Sequence, residues 1–139
     1  MRRITWEEIS ELCRKLAQDL QQCPTAFHAI FAVPRGGLPI GVHLSHLTGI
    51  PMDLGGVTDD SLQYVIVDDI NDTGRTMTQY VNKENCVTVA LFERVDSSVA
   101  ADYVGEYVNH NDWLVMPWEV MDNAFEDMLD YAESRRQNE

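Results

Sequence analysis

The sequence predicts an α/β fold in which a central parallel sheet is flanked by helices. Three observations carry that prediction. Residues 27–33, 64–67 and 87–92 are apolar runs with almost no polar alternation, the pattern of strands covered on both faces. Stretches of helical periodicity separate these runs, so strand and helix alternate along the chain. The length fits one domain, residues 1–139, and a 45% hydrophobic content supplies it with a core.

The first element reads as a helix. Thr5 and Glu8 form a Thr-x-x-Glu capping box, and Trp6, Ile9, Leu12, Cys13, Leu16 and Leu20 recur at helical spacing. Cys23-Pro24-Thr25 stops it. The strand at 27–33 breaks at Pro34-Arg35-Gly36-Gly37, and residues 38–48 resume as a helix with Leu38, Val42, His43 and Leu47 on its expected inner face. A short strand near Met52 and Leu54 and a polar connector over 55–61 lead to the strand at 64–67, which ends in Asp68-Asp69. A helix over 75–81 and the strand at 87–92 come next.

Residues 103–108 and 113–116 read as short strands. A terminal helix is expected over 117–136, with Val120, Met121, Phe125, Met128, Leu129 and Ala132 along one side. Its acids come early and its arginines late, which complements the helix dipole. On that reading the helix calls for no functional role.

Ten Lys/Arg against 23 Asp/Glu give a formal charge of −13. A phosphate polymer or an anionic membrane would be repelled by most of such a surface, so neither nucleic acid nor membrane is an expected partner. The longest apolar run, 29–33, has five residues and cannot span a bilayer. The basic start at Arg2-Arg3 is followed by acids, with no apolar secretory segment. Cys13, Cys23 and Cys86 form neither an even framework nor a C-x-x-C pair, which points to a reducing, cytoplasmic setting without structural zinc.

The chemistry concentrates in Val65-Ile66-Val67-Asp68-Asp69-Ile70-Asn71-Asp72-Thr73-Gly74-Arg75-Thr76-Met77. A buried strand here delivers two adjacent carboxylates, Asp68 and Asp69, to its carboxyl end. The turn after it offers backbone N–H groups, the hydroxyls of Thr73 and Thr76, and the charge of Arg75, which together suit an anion. Carboxylates beside a phosphate cradle repel the phosphate unless they hold something else. Sugar hydroxyls and Mg2+ both need hard oxygen acceptors and fit that place.

These thirteen residues resemble the 5-phosphoribosyl-1-pyrophosphate (PRPP) signature of type I phosphoribosyltransferases: apolar residues, two acids, a spacer, then Thr-Gly-x-Thr. Pro34-Arg35-Gly36-Gly37-Leu38 resembles the pyrophosphate loop of the same family and is closest to the Arg-Gly-Gly form of bacterial xanthine-guanine enzymes. Paired glycines let a backbone approach a diphosphate. Asp112-Trp113-Leu114-Val115-Met116-Pro117-Trp118-Glu119 resembles the base-binding segment of those enzymes. The resemblance covers residues 28–121.

What the resemblance implies is a type I phosphoribosyltransferase fold with a small C-terminal hood. The implied reaction moves the 5-phosphoribosyl group from PRPP to guanine, xanthine or hypoxanthine and releases pyrophosphate. Asp68 and Asp69 would hold the ribose hydroxyls and Mg2+, with Glu119 as a further acid near metal and pyrophosphate. Asp72, Thr73, Gly74, Arg75 and Thr76 would cradle the 5′-phosphate, and Asp72 would face N7 of the purine as general base. Arg35, Gly36 and Gly37 would take the pyrophosphate, with a cis peptide at Arg35–Gly36. Trp113 would stack on the base, Leu114 would offer it backbone groups, and Arg94 stands where relatives place a lysine that reads the 6-oxo group.

Relatives assemble as dimers or tetramers, so a homo-oligomer is implied, with Met116 or Met121 as exposed apolar residues for the contact. One departure stands out: only residues 55–62 fill the interval where relatives carry a long flexible loop over the site. A lid excludes water from a cation-like centre, so its loss opens a second reading. That reading is a non-catalytic or weakly catalytic regulator of the same fold that binds PRPP or a nucleotide.

Overall fold

The computed structural model describes residues 1–137. Helix α1 (Trp6–Gln22) starts where the sequence predicts, because Thr5 as N-cap accepts from the Glu8 amide at 3.1 Å. Its buried stripe is Ile9, Cys13, Leu16, Ala17 and Leu20, while Trp6 lies outside and meets Trp118 with ring centroids 5.9 Å apart. Strands β2 (Ala29–Ala32), β3 (Tyr64–Asn71), β4 (Cys86–Arg94) and β5 (Tyr103–Val108) form one sheet in the order β2-β3-β4-β5. All three pairings are parallel, as the unalternated apolar runs require. A separate parallel pair joins β1 (Arg2–Arg3) to β6 (Leu114–Val115), tying the chain start to the segment that carries Trp113.

Helix α1 and helix α2 (Gly37–Thr48) share the main core with one sheet face, where Leu16, Ile40 and Leu44 meet Ile30, Val65, Val67, Val89 and Leu91. The opposite face is covered by connecting segments: Val57, Leu62 and Tyr80 lie over Ala29, Tyr64 and Ile66, while Met77 and Ala101 lie over Ala90. Parallel strands place the loops after β2, β3 and β4 along one edge, the usual ligand edge of such sheets.

Several expectations change. The inner face of α2 is Gly37, Ile40, Gly41 and Leu44, not the predicted stripe; Val42 and Leu47 are exposed. Gly41 explains the rotation, because a Cβ there would sit 2.6 Å from the Ala32 Cβ, so the helix lies against β2 on its smallest residues. The strand near Met52 and Leu54 reduces to a single bridge, Ile30 to Met52. The helix expected at 75–81 is one 3-10 turn, Met77–Gln79, squeezed between Gly74 at φ +93° and the turn closed by the Lys83 amide on the Tyr80 carbonyl. Met116 is buried and is not an exposed contact residue.

Helix α3 (Met121–Gln137) begins four residues later than expected and is rotated about one residue from the expected face. Ala124, Met128, Tyr131 and Arg135 turn inward, whereas Phe125 and Leu129 are exposed. That inward stripe ends in a phenol and a guanidinium, so α3 is aimed at polar groups. No helix among the described residues is long and apolar enough to cross a membrane.

Candidate active site

The loop after β2 packs directly on the end of β3. A Cβ on Gly36 would lie 2.1 Å from Asp69 Oδ2, and one on Gly37 would lie 2.5 Å from the Val67 carbonyl oxygen. Gly37 is therefore demanded by its approach to the backbone, whereas a side chain at Gly36 would push the Asp69 carboxylate aside; together they set the Arg35 loop beside the paired carboxylates. Val33 N–H donates to Val67 O at 2.8 Å and Gly37 N–H to Val33 O at 2.9 Å, which fixes the loop. The loop holds a cis peptide at Pro34–Arg35, one bond before the expected Arg35–Gly36.

Asp68 is buried, while Asp69 is half-buried. The Asp69 amide donates to Asp68 Oδ1, and the Ile70 amide to Asp69 Oδ1, both at 2.8 Å. Burial, with the neighbouring Asp69 carboxylate adding to it, pushes the Asp68 carboxyl up to about 8. A cavity of about 560 Å³ opens beside Asp69, lined also by Arg35, Gly36, Trp118, Glu119 and, from α3, Asn123 and Asp127, but not by Asp68. Glu119 thus faces the same space, although one carboxylate oxygen accepts from the Met116 amide at 3.1 Å.

No three His, Cys, Asp or Glu side chains among the described residues gather closely enough to cage a metal. Two adjacent carboxylates still suit Mg2+, which keeps several waters and takes its remaining oxygens from substrate phosphates. The donor set fits a cation that arrives with its ligand.

Beyond β3 the chain turns through Asp72–Thr76. Among the described residues the amides of Thr73, Gly74 and Thr76 donate to no protein acceptor, with Thr73 exposed, Thr76 half-buried and Gly74 buried; the Arg75 amide turns back to Thr73 Oγ1 at 3.3 Å. With only a 3-10 turn behind it, the cradle rests on loop amides and hydroxyls and not on a helix dipole. A cavity of about 580 Å³ beside it is lined by Thr73, Arg75, Thr78, Ser98 and Ser134. Thr78 and Ser98 were not legible as site residues; Thr76 does not line this space.

The loop is braced from below. Ser98 Oγ donates to the Thr73 carbonyl at 2.6 Å, and a Cβ on Gly74 would meet that same Ser98 oxygen at 2.8 Å. Buried Asn71 donates from Nδ2 to Glu93 Oε1 and to the Val99 carbonyl, each at 2.7 Å, and Glu93 Oε1 also accepts from the Ala101 amide. This network explains a buried glutamate at the end of β4: it anchors the segment that carries Ser98.

The residues expected around a base do meet. Arg94 is buried; its Nη1 donates to the carbonyls of Asn109 (2.7 Å) and Asp112, and its Nε lies 3.5 Å from Asp72 Oδ1. Part of its guanidinium therefore holds the 109–112 turn in place. Leu114 has its side chain in the core, which leaves only backbone for a ligand. Trp113 stands with its ring centroid 5.0 Å from that of Tyr131, and its indole N–H is buried without a partner.

Helix α3 supplies what the sequence did not show. Tyr131 donates its hydroxyl to Asp72 Oδ1 at 3.1 Å, and Arg135 reaches the same oxygen at 2.9 Å and Asp96 Oδ2 at 2.9 Å. Arg135 Nε donates to the Tyr131 oxygen at 2.9 Å. Burial holds the Tyr131 phenol above its ordinary value, against the pull of that hydrogen bond and of the Arg94 charge, so it stays a proton donor. Helix α3 therefore reaches the Asp72 turn through Tyr131 and Arg135, a contact that its hydropathy pattern did not announce. Residues 55–62, in contrast, do not reach over the site: Val57 and Leu62 pack on the sheet face, and Asn85 at the foot of β4 donates to the Leu62 carbonyl at 3.1 Å.

No protein-family model matches the chain. No curated protein matches it by sequence. Solved structures do match. A purine phosphoribosyltransferase from Pyrococcus horikoshii Ot3 is 28% identical with a TM-score of 0.72, over 85% of this chain and 93% of that one. A xanthine-guanine-hypoxanthine phosphoribosyltransferase from Helicobacter pylori is 17% identical with a TM-score of 0.68, over 91% and 98%. A hypothetical protein from Neisseria gonorrhoeae with bound ppGpp is 20% identical with a TM-score of 0.67, over 96% and 97%. The shared architecture is the type I phosphoribosyltransferase-like α/β fold.

Proposed function

We propose that this chain is a phosphoribosyltransferase that moves the 5-phosphoribosyl group of PRPP to a 6-oxopurine base and releases pyrophosphate. One observation carries the reading: the twin aspartates of β3 lie against Gly36 on one side and continue into an amide- and hydroxyl-rich loop on the other. That is one diol-binding pair between two anion sites, the order of groups along PRPP. The likeness to the Pyrococcus enzyme, which spans nearly all of both chains, supports the transferase class.

In this reading the 5′-phosphate takes the amides of Thr73, Gly74 and Thr76. Asp68 and Asp69 accept from the ribose 2′ and 3′ hydroxyls and hold Mg2+ with Glu119 facing the cavity beside Asp69. Bound there, Mg2+ neutralises charge on the pyrophosphate oxygens. Arg35 and the Gly36 amide stabilise the charge that grows on pyrophosphate as the anomeric C–O bond breaks, while Gly37, its own amide held by the Val33 carbonyl, lets the loop lie against β3. The purine nitrogen attacks the anomeric carbon, and Asp72 takes the proton from N7. Trp113 stacks on the ring, Leu114 offers backbone groups, and the Arg94 guanidinium meets the 6-oxo oxygen. A homo-oligomer, dimer or tetramer, goes with this family reading.

The test is a product assay with Mg2+, PRPP and guanine, xanthine or hypoxanthine. A nucleoside monophosphate from at least one base is expected. Asp72→Asn should lower kcat by about 10²–10⁴ while PRPP affinity changes far less, as for a positioned general base; equal losses in both would remove that role. A second reading, a PRPP-binding regulator of the same fold, is favoured by the packing of residues 55–62 on the sheet and away from the site. PRPP binding without product from any base selects it.

A further inference from the structure

Three side chains assigned above to the base come from different elements: Asp72 after β3, Arg94 at the end of β4 and Trp113 before β6. All three close on one other side chain, Tyr131 of α3. Its ring centroid lies 5.0 Å from that of Trp113, the Arg94 guanidinium carbon is 5.4 Å from it, and its hydroxyl donates to Asp72. An aromatic ring tilted at 45° against the indole, with an acidic proton pointed at the carboxylate and the Arg94 cation over its face, occupies these groups in place of a 6-oxopurine.

The space is taken. Carbon atoms in contact sit about 3.5–4.0 Å apart, so a purine between two rings needs roughly 7 Å from one ring to the other. The Trp113–Tyr131 pair leaves 5.0 Å. Helix α3 also crosses the whole mouth of the site. Asn123 and Asp127 line the cavity of Arg35, Gly36 and Asp69, and Tyr131, Ser134 and Arg135 line the one that holds Asp72 and Thr73.

The helix is lightly seated. Ala124 is its one buried residue among those described, and Phe125 and Leu129 are each 51% exposed. Besides the Tyr131 ring on Trp113, what fastens its far end is polar: Arg135 on Asp72 and Asp96, and Tyr131 on Asp72. Such a segment opens at low cost compared with the core.

We infer that Tyr131 is an internal occupant of the base subsite and that the second half of α3, which bears it, is a movable cover, which a purine must displace before it can stack on Trp113. The inference rests on the proposed function for the identity of that subsite. It gives the chain a cover in place of the long loop that residues 55–62 do not provide. It also predicts a selective penalty: the apparent affinity for a purine ligand is reduced by the fraction of molecules with Tyr131 withdrawn, whereas the donor groups Asp68, Asp69 and the Thr73–Thr76 amides do not touch Tyr131.

Calorimetric titrations of the full chain with guanosine 5′-monophosphate, and separately with Mg2+-PRPP, test this. If about one molecule in ten is open, Tyr131→Ala should bind the monophosphate about tenfold tighter, with PRPP affinity within about threefold of the unsubstituted chain. Tyr131→Phe keeps the ring and should gain less. Arg135→Gln, which loosens the cover but leaves the Tyr131 ring in the chain, should shift the monophosphate in the same direction and carries the test if Tyr131→Ala does not fold. Monophosphate affinity that is unchanged or weaker in these variants overturns the inference and makes Tyr131 a fixed wall of the site. Absence of PRPP heat from every protein removes the proposed function instead, a result the monophosphate ratio does not share.

Discussion

At the scale of single residues, Asp68 carries the most unusual environment in the molecule. Its carboxyl is buried and raised to about 8, while an unfolded chain leaves it near the ordinary value of 3.8. The folded chain thus keeps a proton across a range where the unfolded chain has released it. The stabilisation from that proton is fully present below about pH 4 and is lost as pH rises through about 8. Asp68→Asn removes the titration. Urea unfolding at pH 5 and pH 8 should show a smaller loss of stability between the two pH values in the variant than in the unsubstituted chain; equal losses would mean that Asp68 ionises freely in the fold. Asp68, Asp69 and Thr73–Thr76 were legible because their chemistry is contiguous: one strand end and one turn bring them together whatever the rest of the chain does. Tyr131 and Arg135 were not, since they meet Asp72 across 59 and 63 positions of sequence, and a phenol or guanidinium on a helix face carries no sign of its partner.

At the scale of elements, the register between the β2–α2 loop and β3 decides whether the site exists. Gly37→Ala puts a Cβ at 2.5 Å from the Val67 carbonyl oxygen, a backbone atom held in the sheet, so the loop itself must shift. The expected loss is about 1–3 kcal/mol of stability, together with weakened PRPP binding. Gly49→Ala makes the informative comparison. No atom lies within 4 Å of a Cβ there, but φ is +77°, so the cost is backbone strain of about 1–2 kcal/mol with PRPP affinity intact. Thermal melts and PRPP titrations on the two variants separate the cases, and retention of donor affinity in Gly37→Ala would refute the claim that this contact shapes the site. Strands β2, β3 and β4 were readable because strands buried on both faces carry unalternated apolar runs. The faces of α2 and α3 were not. Gly37 and Gly41 lie inward because they are small, and a hydropathy pattern scores smallness as neutral. The stretch after Gly74 has helical spacing but too few residues before the next turn to continue beyond Met77–Gln79.

For the molecule as a whole, a charge of −13 is spread over a body whose few cations are placed with purpose: Arg94 and Arg135 both lie on Asp72. The parallel sheet and the core stripe of α1 were legible, because they follow from hydrophobic spacing. The covering of the site was not, because it depends on ion pairs formed only after the fold has assembled. Salt should act on these two levels with opposite signs. Screening of the net charge relieves self-repulsion and raises global stability, whereas screening of the half-exposed Arg135 pairs with Asp72 and Asp96 loosens α3. Amide hydrogen exchange from 0.05 to 0.5 M NaCl should therefore slow in β3, β4 and α1 and quicken in the second half of α3, by about twofold to fivefold for weakly buried pairs of this kind. If the amides of α3 slow together with those of the sheet, the helix is held as part of the core, and its polar end is not what fastens it.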